Sequence, residues 1–169
     1  MTTGSTLEIL KRAILLEKRG RAFYAQMARQ TGHPALQDFF RLMGEEEERH
    51  IAVLSRHFAA YAKDGRLAPM DYPEAGEPAA ELADRVMSAE LVASVAAAGF
   101  EAAAIGAAMA LEQKAVDLYA QRAAAAEDPE EKALYRWLSR WEHTHLDFLA
   151  ALDRELTQKV WHDQQFWPF

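Results

Sequence analysis

Four positions in the first third of the chain recur at a constant offset of 95 residues, and all are types that bind a metal ion or support a metal ligand. Glu17 is matched by Glu112, Tyr24 by Tyr119, Glu47 by Glu142 and His50 by His145. Each half therefore offers a lone Glu, a Tyr seven residues on, and a later Glu-x-x-His. One Glu from each of two helices, with Glu-x-x-His from each of two others, is the residue set that holds two metal ions in the core of a four-helix bundle.

Helical geometry separates these acids from their neighbours. At about 100° per residue, Glu47 shares a face with Phe40, Met43, His50, Ile51 and Leu54, whereas Glu45, Glu46 and Glu48 point away as a solvated charge run. Glu142 lies likewise among Tyr135, Leu138, His145, Leu146 and Leu149. A carboxylate inside an apolar stripe is costly unless it is paired or metal-bound. Four such carboxylates would be neutralised by two divalent cations, and two neutral imidazoles complete a nitrogen and oxygen shell suited to iron, manganese or zinc. Tyr24 and Tyr119 lie one heptad beyond Glu17 and Glu112, so each can donate a hydrogen bond to a metal-bound carboxylate or serve as a core aromatic. His33, His57 and His143 fall outside the pattern and are expected to be satisfied or solvated, with His57 one heptad from His50.

These positions require four long helices. The first is expected over Leu7–Gln30, its stripe marked by Leu10, Ile14, Glu17, Tyr24 and Ala28. Thr31-Gly32-His33-Pro34 ends it and opens a second, which runs to about Lys63 and stops at Gly65. A third covers roughly Ala96–Ala126. Asp128-Pro129-Glu130-Glu131 then reads as a cap, a first-turn proline and a glutamate three residues after the cap, opening a fourth helix that ends near Lys159. The repeat of 95 residues also matches Leu16 with Leu111, Pro34 with Pro129 and Leu54 with Leu149. The fold class is all-α: a ferritin-like four-helix bundle of two repeated αα-hairpins, related by a pseudo-two-fold axis and joined by a long crossover. Residues 1–159 form that domain. Its crossover spans 66–95, with a short helical stretch near Ala79–Val95, and helices of this size need such a length to return across roughly 40 Å. Residues 160–169 form an aromatic tail expected to pack across a groove or a neighbouring subunit.

Composition narrows the function. A net charge of −7 disfavours nucleic acid and anionic membranes as partners. No apolar run is long enough to span a bilayer, and Met1–Leu10 lacks a secretory pattern, so a cytoplasmic protein is expected. The absence of cysteine excludes disulfides, iron–sulfur clusters and thiolate zinc sites within these residues.

At these motifs the chain resembles the rubrerythrin branch of the ferritin-like superfamily. The resemblance implies two iron ions, one served by Glu17, Glu47 and His50, the other by Glu112, Glu142 and His145, with Glu47 and Glu142 bridging. It also implies an oxidoreductase that reacts with hydrogen peroxide or oxygen, takes electrons from an external donor, and works as a homodimer or larger assembly. The chain differs in having no cysteine-rich rubredoxin domain, and in carrying Ala115 where the family's third helix has a second carboxylate. Three other uses of such a bundle compete with this one. They are an iron-binding, ferroxidase or storage protein, a metal-stapled structural or regulatory bundle, and an oxygenase acting on an organic substrate. Gly20 and Ala115, three residues beyond the lone glutamates, are expected either to leave room for an oxidant beside the metals or to let the first and third helices approach closely.

Overall fold

The computed structural model describes residues 3–72 and 99–163, which form four helices: α1 over Thr3–Gln30, α2 over Pro34–Asp64, α3 over Phe100–Ala125 and α4 over Pro129–Asp163. Local punctuation sets most of the ends. Pro34 stands in the first turn of α2, and Gly65 closes that helix with φ 68°, a left-handed conformation in which its N–H reaches the Tyr61 carbonyl. Asp128 Oδ1 accepts from the backbone N–H groups of Glu130 and Glu131, at 2.8 and 3.4 Å, and so caps α4. Three ends depart from expectation: α3 begins at Phe100, capped by Gly99, rather than near Ala96. α1 begins before Leu7, and α4 runs beyond Lys159 through Asp163, so the first residues of the supposed tail are helical. The helical stretch expected within the crossover, and the tail from residue 164 on, lie outside the described residues.

The buried residues of α1 step three or four at a time through Leu10, Ala13, Glu17, Gly20, Tyr24 and Met27, while Ile14 and Ala28 sit half-buried at the stripe's edge. On α2 the buried face runs from Leu36 to His57 and holds Phe40, Met43, Glu47, His50, Ile51 and Leu54 together. On α3 it is built largely of small residues, Ala104, Ala108, Ala115 and Ala123, interrupted by Glu112 and Tyr119.

Two apolar clusters divide the bundle. One gathers Tyr24 and Met27 from α1, Phe40 and Met43 from α2, Ile105 and Ala108 from α3, and Leu149 and Leu152 from α4. The other gathers Leu10 and Ala13, Leu54, Ala115 and Tyr119, and Leu138 and Trp141 from the same four helices. Along every helix the switch from one cluster to the other falls at the repeated glutamates. Chain direction follows from this. α1 is antiparallel to both α2 and α3, whereas α2 and α3 run the same way, so the connection between them must cross the length of the bundle. α1 packs along α2 and α3 along α4, while α1 meets α3 over a smaller contact. This is the ferritin-like arrangement of two hairpins. Among the described residues no helix is long and apolar enough to cross a membrane.

Candidate metal centre

Between the two apolar clusters lies a polar layer made of the six repeated glutamates and histidines. All six are at most 3% exposed. Glu17, Glu47, His50 and Glu142 each bring one oxygen or nitrogen within 4.8 Å of one another, as do Glu112, Glu142 and His145. Glu142 belongs to both groups. Its Oε1 lies 2.8 Å from His50 Nδ1 and its Oε2 lies 3.4 Å from His145 Nδ1. These approaches do not have hydrogen-bond geometry: both oxygens of Glu142 and both Nδ1 atoms are buried without a hydrogen-bond partner, as is Glu47 Oε2. Buried polar atoms left unpaired are costly. Here they converge from α2 and α4, beside Glu17 of α1 and Glu112 of α3, and a nitrogen and oxygen donor set of this kind fits two first-row metal ions.

The tyrosines cross between the halves. Tyr24 donates from its hydroxyl to Glu112 Oε1, and Tyr119 donates to Glu17 Oε1. Because α1 and α3 are antiparallel, a heptad from each lone glutamate brings its tyrosine opposite the other half's glutamate. The second oxygen of each acid is left facing a histidine, with Glu17 Oε2 3.5 Å from His50 Nδ1 and Glu112 Oε2 3.8 Å from His145 Nδ1. Each tyrosine thus fixes one oxygen and aims the other.

Burial governs the protonation of the layer. It raises Glu17 and Glu47 well above the usual carboxylate range, aided by the charge of Glu142 on Glu17 and by that of Glu17 on Glu47. Burial and the Glu142 charge push Glu112 up to about 7. For Glu142, burial works against the charged form, but His50 and His145 outweigh it and hold this carboxyl below the usual range. Burial also opposes charge on the histidines, yet Glu142 carries His50 to about 8, and Glu112 with Glu142 carries His145 to about 10. Without metal, then, Glu142 favours its charged form beside two imidazoles that are shifted toward theirs, and the remaining acids favour protons. Metal binding must displace those protons.

Glu47, which the resemblance implies as a bridge, shares a group with Glu17, His50 and Glu142. Its carboxylate is turned against α1, where a Cβ on residue 20 would lie 2.9 Å from Glu47 Oε1. The space left by Gly20 is thus occupied by the Glu47 carboxylate. Ala115 is buried in the second apolar cluster beside the site. Among the acids read as a solvated run, Glu45 and Glu48 are exposed, but Glu46 is half-buried, pairs with Arg49, and keeps Oε2 buried without a partner. His143 is exposed beside Asp147. His57 is fully buried, with Tyr72 Oη 3.3 Å from its Nε2. Residue spacing also missed Trp137 and Trp141, whose rings meet His50 edge to face at 5.8 and 5.4 Å. Their i,i+4 spacing beside Leu138 and Glu142, which widens the apolar face of α4, was the available signal.

A rubrerythrin family model matches residues 8–153, which includes most of each of the four helices and every residue of the polar layer. The chain belongs to the rubrerythrin family. Comparison with curated proteins and with solved structures returns no match. Family membership and the buried Glu/His cluster together point to a di-metal site.

Proposed function

We propose that this rubrerythrin-family chain is an oxidoreductase whose di-iron centre reacts with hydrogen peroxide or oxygen and is re-reduced by an external electron donor. The observation that carries this reading is Glu142, a fully buried carboxylate shared by two ligand groups and with neither oxygen hydrogen-bonded. Glu17, Glu47 and His50 would hold one ion, and Glu112 and His145 the other, with Glu142 reaching both. The two ions would supply the electrons that reduce the oxidant. Tyr24 and Tyr119 hold Glu112 and Glu17 in fixed orientations, as partners beyond the ligands commonly do. The apolar clusters on either side keep bulk water from the layer and so strengthen its electrostatics. The 169 residues contain no cysteine and therefore no thiolate-held iron centre of their own, which supports a donor outside them. A homodimer or larger assembly completes the proposal.

The test is anaerobic loading with ferrous ion, followed by stopped-flow mixing with peroxide and, separately, with oxygen. Rapid conversion to the ferric form by at least one oxidant, with turnover when a reductant is present, is expected. Iron that binds but stays ferrous under both would contradict the reading and leave a metal-stapled bundle in its place.

A further inference from the structure

Aromatic rings are distributed unevenly around the polar layer. Beyond the contacts of Trp137 and Trp141 with His50, the two indoles lie 5.2 Å apart, and Trp137 lies 5.3 Å from Tyr72. Tyr72 in turn stacks on His57 at 6.1 Å. Both tryptophans are buried, whereas Tyr72 is half-buried and follows the exposed Asp71. A continuous run of ring contacts therefore leads from an imidazole of the metal layer to the protein surface.

The duplication makes this run informative. Every residue of the polar layer has a counterpart of its own type 95 positions away, but the two tryptophans do not: Leu42 and Glu46 correspond to Trp137 and Trp141, and Leu152 likewise corresponds to His57. Filling the bundle at this depth does not in itself call for indoles, because the other half does without them. Trp141 also buries its Nε1–H without a partner, a cost that phenylalanine or leucine would avoid.

We propose that Trp141, Trp137 and Tyr72 form a one-electron path between the protein surface and the metal held beside His50. The proposal rests on the metal-binding part of the reading above and not on the choice of oxidant. Electron tunnelling decays exponentially with the gap to be crossed, and π systems in contact bridge that gap better than aliphatic side chains. In each passage a one-electron carrier at the Tyr72 end is oxidised by one electron, and the ion beside His50 is reduced by one. No bond in the rings forms or breaks, and no proton need leave them, which suits an indole N–H that has no acceptor. Two passages restore the two electrons that a peroxide removes.

The absence of native cysteine allows a single-site test in the whole chain. A photo-oxidant is attached at Asp71→Cys, beside Tyr72, and in a second preparation at Lys114→Cys, an exposed position on α3 two residues from Glu112. Ferrous binding is measured first by titration, and a laser flash then creates the oxidised label. With iron bound, the label at 71 should recover quickly as ferric ion appears, and the same label should recover slowly with zinc in the site. Trp137→Phe and Trp141→Phe should each bind iron normally and lose the fast phase at 71, with no change for the label at 114. An unchanged fast phase in both variants, or equal rates from 71 and 114, would overturn the path. Failure of the titration itself would overturn both the metal reading and the path that depends on it. Iron inert to peroxide and oxygen but oxidised quickly from position 71 would support the path while contradicting the proposed activity.

Discussion

A methyl group on residue 20 would lie 2.9 Å from Glu47 Oε1 and 3.0 Å from its Cδ, closer than side chains normally approach. The obstructed atoms are the far end of a flexible side chain, so a Gly20→Ala protein folds and the carboxylate moves. Alanine in a helix interior is favoured over glycine by roughly 0.5–1 kcal/mol. The two effects have opposite signs on different observables: the metal-free Tm should hold or rise, while metal affinity falls. Thermal melts and ferrous titration of the same variant check this, and unchanged affinity would mean that Glu47 does not depend on that space. Spacing alone singled out the six residues of the layer, because i,i+3 and 95-residue offsets are visible in one dimension. The turn of Glu47 toward Gly20 and the crossing of Tyr24 to Glu112 were not visible there, because both depend on how neighbouring helices are placed.

At the scale of the helices, several ends were legible from a residue with a strong backbone preference. Pro34, Gly65 and Asp128-Pro129 each sit where their chemistry puts a boundary. The ends near Leu7 and Lys159 carried no such residue. Helix propagation adds a hydrogen bond for each further residue, so it continues past the last stripe position until something stops it. That is why α4 includes Trp161, His162 and Asp163. Removing a real stop signal has a defined effect. Asp128→Ala should cost about 1 kcal/mol through the lost cap, seen as a lower Tm, with metal stoichiometry unchanged because the polar layer lies several turns away. A loss of metal in that variant would show that the α4 terminus positions the ligands more directly than the geometry indicates.

For the molecule as a whole, two hairpins in antiparallel register converge four acids and two histidines on one layer, and that layer couples stability to both pH and metal. In the metal-free protein Glu112 is raised from 4.5 to about 7, His50 from 6.5 to about 8 and His145 from 6.5 to about 10. Groups raised on folding bind more protons in the native state, so their contribution is full below the unfolded value and is lost as pH rises through the folded one. Metal-free protein should therefore lose stability from mildly acidic pH upward through about 8 and on toward about 10. Glu142, shifted the other way, removes stability only as pH falls into the acid range. Bound metal should flatten the alkaline decline and raise the Tm, because it binds the folded state alone. Melts of chelator-treated protein across pH check the sign, and a flat profile would place these groups in solvent. The central claim, two metal ions sharing Glu142, is tested most directly by equilibrium metal loading of wild type beside Glu142→Ala. About two ions per chain are expected for wild type, with tight binding at both positions lost in the variant. Two tightly bound ions in Glu142→Ala, or none in wild type, would contradict it.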